Sequence, residues 1–215
     1  MNGATITGPT DSKPLAYGEE RFTPLMRFRN WLLVRDIRRR LGGRRDLTVA
    51  DLGCGYSAPM LQAMRPYLRE GVGVEMRVSP ELKSDPVLRF EEGPLEAVVP
   101  TFPAERFDLV LLMSVLEHLS DPLEMLRQIH RILRPGGRAL VHVPTWLAKP
   151  VLEIMTFRCG VTGAESIDDH KMYYAKRDLW PLLVRAGFKP SRISMSYHKL
   201  GLCLLADVRK IGASS

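Results

Sequence analysis

Short continuous apolar runs alternate along the chain with longer segments whose apolar residues recur every three or four positions, the spacing that separates buried strands from amphipathic helices. The first strand is predicted over Leu47–Leu52, followed by a helix from Ser57 to Leu68. Gly71–Met76 reads as a second strand, Ser79–Lys83 as a short helix and Val87–Phe90 as a third strand. Phe107–Leu112 is the most uniformly apolar run, which predicts a central position in the sheet. A helix over Pro122–Leu133 turns Leu123, Met125, Leu126, Ile129, Ile132 and Leu133 to one side and stops at Pro135-Gly136-Gly137; Arg138–Val143 is the next strand. This rhythm predicts βαβ units and a mostly parallel sheet.

The rhythm breaks over residues 144–175, where Pro144, Pro150, Gly160 and Gly163 predict an insertion. It resumes with a helix at Lys176–Ala186, closed by Gly187. Two strands follow, Phe188–Tyr197 and Leu200–Val208. Only His198-Lys199 separates them, so they pair antiparallel. At the other end, residues 1–20 carry little periodicity and predict a mobile arm. Residues 21–45 predict a helical cap: Met26, Leu33, Val34, Ile37 and Leu41 share one stripe, Arg27, Arg35, Arg38 and Arg39 fall opposite, and Gly42-Gly43 stops the helix. Residues 46–215 form one domain in this reading.

Charge changes the picture only once it is located. The net charge is +7 and the sequence pI is near 9.5. Nine arginines and one acid, Asp36, lie in residues 21–45, so the rest of the chain is close to neutral. With Phe28 and Trp31 among them, these arginines suit either a solvated helix face or contact with an anionic membrane surface. The aromatics lack the spacing of a base-stacking platform, which argues against nucleic acid. Hydrophobic residues make up 45% of the chain, enough for a core, and no apolar run reaches the roughly 18 residues of a membrane span. The opening residues lack the basic and apolar regions of a secretory signal, which predicts a cytoplasmic address. Cys54, Cys159 and Cys203 are odd in number and far apart, so reduced thiols are expected and no metal site is predicted.

The densest chemistry is Val49-Ala-Asp-Leu-Gly-Cys-Gly-Tyr-Ser57, a strand entering a glycine turn and then a helix. Gly53 and Gly55 allow a tight turn and close backbone approach to a ligand. Gly53 to Ala58 also fits the dinucleotide fingerprint G-x-G-x-x-A, with Glu75 about 20 residues on, where a ribose-binding acid belongs. Asp51 tilts the choice, because a carboxylate beside the turn would repel a pyrophosphate. It would welcome a ligand carrying an amino acid moiety and a sulfonium.

At this point the sequence resembles the class I S-adenosylmethionine-dependent methyltransferases of small-molecule type, including the ubiquinone-biosynthesis O-methyltransferases. The matching segments are VADLGCGYS (49–57), VGVEM (72–76), FDLVLLMSVLEHLSDP (107–122), LRPGGRALVHVP (133–144) and DLWPLLVRAGF (178–188). The resemblance implies an α/β fold: a Rossmann-like seven-stranded, mostly parallel sheet with an antiparallel last strand, helices on both faces and an N-terminal helical cap. It implies S-adenosyl-L-methionine as cofactor, with Asp51, Gly53, Cys54 and Gly55 as the turn, Glu75 on the ribose and Met76 on the adenine. Met113 and Ser114 would line the methionine end. Relatives often carry Gly-Asp after the third strand; Pro94 replaces that Asp here, leaving Glu92 or the Leu95 backbone to meet the adenine amino group.

Methyl transfer needs alignment above all, because the sulfonium carries its own activation. A hydroxyl acceptor also needs a base. His170 ranks first among the candidates, in the segment where relatives build a lid, with Tyr173 and Tyr174 as pocket walls. His118 would lie near the mouth of the site; His142, alternating with apolar neighbours, reads as a core residue. The acceptor implied is a small or lipid- or sugar-linked molecule, and the segment DDHKMYYAKRDLWPLLVRAGF resembles methyltransferases of polysaccharide or glycolipid assembly. An NAD-dependent oxidoreductase and a non-catalytic S-adenosylmethionine-binding module are the alternatives.

Overall fold

The computed structural model describes residues 33–148 and 172–212. The predicted arm, the first part of the cap and most of the predicted insertion, with His170 and Cys159, lie outside the described residues. Seven strands form one sheet: β1 (Leu47–Leu52), β2 (Leu68–Glu75), β3 (Leu88–Glu92), β4 (Phe107–Met113), β5 (Leu133–Pro144), β6 (Ile193–His198) and β7 (Cys203–Arg209). Their order is β3-β2-β1-β4-β5-β7-β6, with β1 to β5 parallel and β7 antiparallel to both β5 and β6. The fold is therefore the Rossmann-like sheet expected, with β4 in its middle.

Two apolar layers follow from the two-residue alternation of the strands. One face carries Leu47, Val49, Leu109, Leu111 and Leu140. These pack against Val34 and Ile37 of α1 (residues 33–40), Leu41 just after it, and Met60, Leu61 and Met64 of α2 (Pro59–Met64). The other face carries Ala50, Leu52, Val110, Leu112 and Val141. They meet α3 (Leu95–Val98), α4 (Pro122–Ile132) and α5 (Lys176–Arg185) through Leu95, Leu126, Ile129, Leu179 and Leu183. Asp121 starts α4 by accepting the Glu124 backbone N–H at 2.9 Å, and Pro122 occupies a first-turn position where no N–H is missed.

Several boundaries differ from the sequence reading for local reasons. The helix predicted over 57–68 is cut to six residues, because Pro66 cannot donate to a continuing helix; a 3-10 turn at Arg65–Tyr67 follows, and Leu68 already belongs to β2. The short helix predicted at 79–83 is a 3-10 turn, Pro80–Ser84. Pro135-Gly136-Gly137 does not close α4, which ends at Ile132 as Leu133 turns extended; it lies in a bulge within β5, where partners of β4 jump from Leu133 to Arg138. The strand predicted from Phe188 begins only at Ile193, after a turn at Pro190–Arg192.

The arginine-rich segment is tied inward as well as exposed. Arg40 donates to Asp36 at 2.8 Å and to Asp207 at 2.7 Å, and Arg138 reaches the same Asp207 oxygen at 3.0 Å. Arg44 donates to the buried Asp108 at 2.8 Å. Two buried aspartates thus fasten α1 and the turn after it to β4 and β7. Arg138→Met is expected to cost about 1–3 kcal/mol in urea unfolding, because Asp207 stays buried with one partner fewer.

Candidate active site

Strand order reverses between β1 and β4, and it is at the carboxyl side of such a switch point that open α/β sheets bind their ligands. Asp51, Gly53, Cys54 and Gly55 all fall at this point. The turn is stitched to β2: Gly53 and Cys54 N–H donate to the Val74 carbonyl at 2.8 and 3.2 Å. Gly53 and Gly55 have φ of +77° and +74°. A Cβ on Gly53 would lie 2.4 Å from Val115 Cγ2, whereas one on Gly55 would meet open space. Gly53→Ala is therefore expected to lose more stability than Gly55→Ala, which carries only the backbone strain of roughly 1–2 kcal/mol; thermal unfolding of the pair checks the order.

Glu75 ends β2 facing this turn. Its carboxylate accepts the Gly55 N–H at 2.9 Å and the Met76 N–H at 2.8 Å. Asp51 is buried on β1, and its carboxyl is pushed up to about 7 by burial and then by the Glu75 charge. Both influences act in the same direction. Two carboxylates held this close around a glycine turn create a place that favours a ligand with positive charge and hydroxyl donors. The residues present therefore fit a sulfonium amino acid nucleoside. Cys54 is buried, and its thiol is pushed up by burial and the two carboxylates, which leaves it unreactive packing behind the turn.

The remaining predicted positions divide. Met76 is 67% exposed directly after Glu75, available to cover a flat ring. Pro94 is exposed and begins α3, while the Leu95 side chain is buried in the core, which leaves only its backbone for a ligand. Glu92 is engaged by Lys83 and the Val78 N–H, both at 2.8 Å. Met113 and Ser114 stand at the carboxyl end of β4, and Ser114 adopts a left-handed backbone (φ 59°), a conformation that a non-glycine residue holds at a cost.

His142, expected as a hydrogen-bonded core residue, is hydrogen-bonded and half-buried. It pairs with Met113 in register near the carboxyl end of β5, its carbonyl accepts the Ser114 N–H at 2.8 Å, and its Nδ1 lies 3.1 Å from Ser114 Oγ. The alternation that made it look internal holds for Val141 and Val143, which are buried; His142 takes the other face. His118 lies half-buried in the 3-10 turn Leu116–His118 just after β4. Sequence reasoning passed over its neighbour Glu117. That carboxyl is buried, its Oε2 has no hydrogen-bond partner among the described residues, and burial pushes it up to about 7. The available signal was the Leu-Glu-His-Leu segment itself, in which Glu117 is framed by apolar residues. Tyr173 and Tyr174 are both buried, Tyr174 N–H donating to the Pro144 carbonyl at the end of β5.

The model of a methyltransferase domain matches residues 21–191. The chain belongs to that family. The family's methyl donor is S-adenosylmethionine, in agreement with the carboxylate pair and glycine turn. The ubiquinone biosynthesis O-methyltransferase of Serratia proteamaculans is 31% identical over 176 residues, covering 75% of this chain and 69% of that protein. The chain spans about half the length of other curated relatives it matches, ubiquinone biosynthesis O-methyltransferases of Pseudomonas. Among solved structures, the cyclase SpnF has a TM-score of 0.64 at 16% identity, covering 92% of this chain and 86% of its own. The CurJ carbon methyltransferase has a TM-score of 0.60 at 14% identity, covering 85% and 54%. These likenesses establish the fold, and their different chemistries show that the fold does not choose the reaction. Among the described residues no helix is long and apolar enough to cross a membrane, and no cluster of histidine, cysteine and acidic side chains has the arrangement to hold a metal ion.

Proposed function

We propose that the chain transfers a methyl group from S-adenosylmethionine to an oxygen of a small or lipid- or sugar-linked molecule. The observation that carries this reading is the Asp51 and Glu75 pair at the topological switch, with the Ser114–His142 pair two strands over on the same edge. The bound donor supplies a methyl group already activated by its sulfonium. Asp51 would neutralise the ammonium at the methionine end, Glu75 would accept from the ribose hydroxyls, and Met76 would cover the adenine beside the Leu95 backbone.

His142 would take the proton of the acceptor hydroxyl as oxygen becomes a nucleophile, with Ser114 Oγ fixing the orientation of the ring through Nδ1. His118 would stand at the mouth of the same site, and His170 would approach from the segment after β5. O-methylation is favoured by the relatives, which are named as O-methyltransferases. Residues 21–45 would meet an anionic membrane where a lipid-linked acceptor resides, through those arginines that are not spent on Asp36, Asp108 and Asp207.

Two measurements test the reading. Calorimetry should show S-adenosylhomocysteine binding and no NADH binding. Labelled methyl should then pass from S-adenosylmethionine into a hydroxylated acceptor drawn from a panel of polyprenyl phenols and glycolipids. Absence of S-adenosylhomocysteine binding would sink the proposal; binding without transfer to any hydroxyl, but transfer to carbon or nitrogen, would overturn its oxygen specificity.

A further inference from the structure

At the edge of the sheet opposite the proposed active site, the second residues of four adjacent parallel strands line up: Arg69 in β2, Thr48 in β1, Asp108 in β4 and Arg134 in β5. Arg44 joins them from the turn before β1. Asp108 is fully buried and ties the group together, accepting from Arg44 at 2.8 Å, from Arg134, and from the Thr48 N–H at 2.9 Å. Arg69 donates to Thr48 Oγ1 at 2.7 Å. Two guanidinium groups thus meet one carboxylate and a third stands on the neighbouring threonine that the same carboxylate holds, so three positive charges face one negative.

This convergence exceeds what fastening requires. One arginine would neutralise Asp108, and the next carboxylate along β2, Glu70, is already engaged by Arg106 at 2.9 Å and Arg89 at 3.4 Å. Burial and the charges of Arg44 and Arg69 hold the Arg134 guanidinium below its ordinary range, a sign of like charges kept together. All three side chains reach the surface: that of Arg44 is 49% exposed, that of Arg134 is 32% exposed, and Arg69 is exposed. Next to them Arg45 and Arg38 lie over the Tyr67 ring, at 5.6 and 4.1 Å from its centroid, which adds positive potential without another acid. Asp46, exposed in the intervening turn, offsets only part of it.

Planar guanidinium forks presented side by side match the oxygens of a phosphoryl group, which they can grip in pairs. We propose that this amino-terminal edge is a binding site for a phosphate-class oxyanion, with Arg44, Arg69 and Arg134 as its donors, Asp108 anchoring Arg44 and Arg134 and Thr48 anchoring Arg69. The site stands on its own, at the far end of the strands from the carboxylate pair, and does not depend on the methyl-transfer reading.

The test uses the full chain at 50 mM and 300 mM salt, with inorganic pyrophosphate in one arm and vesicles of phosphatidylglycerol or phosphatidylcholine in the other. Saturable pyrophosphate binding identifies a soluble phosphoryl ligand; binding to phosphatidylglycerol vesicles alone identifies a lipid headgroup. In either case Arg69→Gln, an exposed change that leaves the Asp108 pairs intact, should weaken binding at least fivefold and leave S-adenosylhomocysteine affinity unchanged. High salt should weaken it further. The proposal is overturned if neither probe binds, if Arg69→Gln binds as tightly as the parent, or if a homopolymeric RNA binds and both phosphate probes do not.

Discussion

Asp51→Asn is expected to make the unliganded protein more stable at alkaline pH and, at the same time, a poor host for its methyl donor. The Asp51 carboxyl is pushed up to about 7 by burial and by Glu75. Between about pH 4 and 7 the folded chain therefore keeps a proton that the unfolded chain has released. The stability due to that proton is complete below about pH 4 and is lost as pH rises through 7, where folding must hold a buried ionised carboxylate. Asparagine keeps the shape of the neutral acid and never ionises. At pH 8 the variant should gain roughly 2–4 kcal/mol, equivalent to about 5–10 °C in melting temperature for a chain of this size, and the gain should vanish near pH 4. Affinity for S-adenosylhomocysteine should fall by about 10- to 100-fold, the value of a charge-assisted contact. Thermal unfolding across pH together with calorimetry reads both effects. A variant that is less stable at pH 8, or one that binds the product within twofold of the parent, would remove Asp51 from the proposed site.

His142→Gln should separate chemistry from binding. Glutamine preserves bulk and a hydrogen bond to Ser114 but cannot accept a proton from an acceptor hydroxyl at neutral pH. Turnover should drop by about 10²- to 10⁴-fold, while S-adenosylhomocysteine affinity stays within twofold. Ser114→Ala should have a smaller effect of about tenfold, because it loosens the ring without removing the base. Unchanged turnover in His142→Gln would transfer the base role to His118 or His170; equal losses of turnover and cofactor affinity would show His142 to be a structural residue.

These expectations rest on different amounts of sequence information. The strands are short apolar runs whose two-residue alternation predicts which side chains enter each layer, and Phe107–Leu112 declared its central place by being apolar on both faces. The glycine turn was legible because positive φ at Gly53 and close approach to Val115 exclude most side chains, and a carboxylate two residues earlier has few reasons to be there. His142 was not legible. A polar residue alternating with valines looks the same whether its face is covered or open, and only the pairing of β5 with the end of β4 decides that it meets Ser114. Glu117 was obscured for a related reason: a single acid in a turn shows nothing of its burial until Leu116, Leu119 and the packed helices close around it.

The arginine-rich segment marks the limit most clearly. Its positions are local and so are its helical stripe and its charge excess, both of which can be counted along the chain. What those charges do depends on partners more than sixty residues away: Asp207 takes Arg40 and Asp108 takes Arg44. Covalent order alone determined the family, the alternating layers and the cofactor turn, because each arises from neighbours within one element and its adjoining turn. Tertiary structure alone decided which arginines pair with buried aspartates and that His142 meets Ser114, because charge and hydrogen-bond partners are chosen by distance in space and not by distance along the chain.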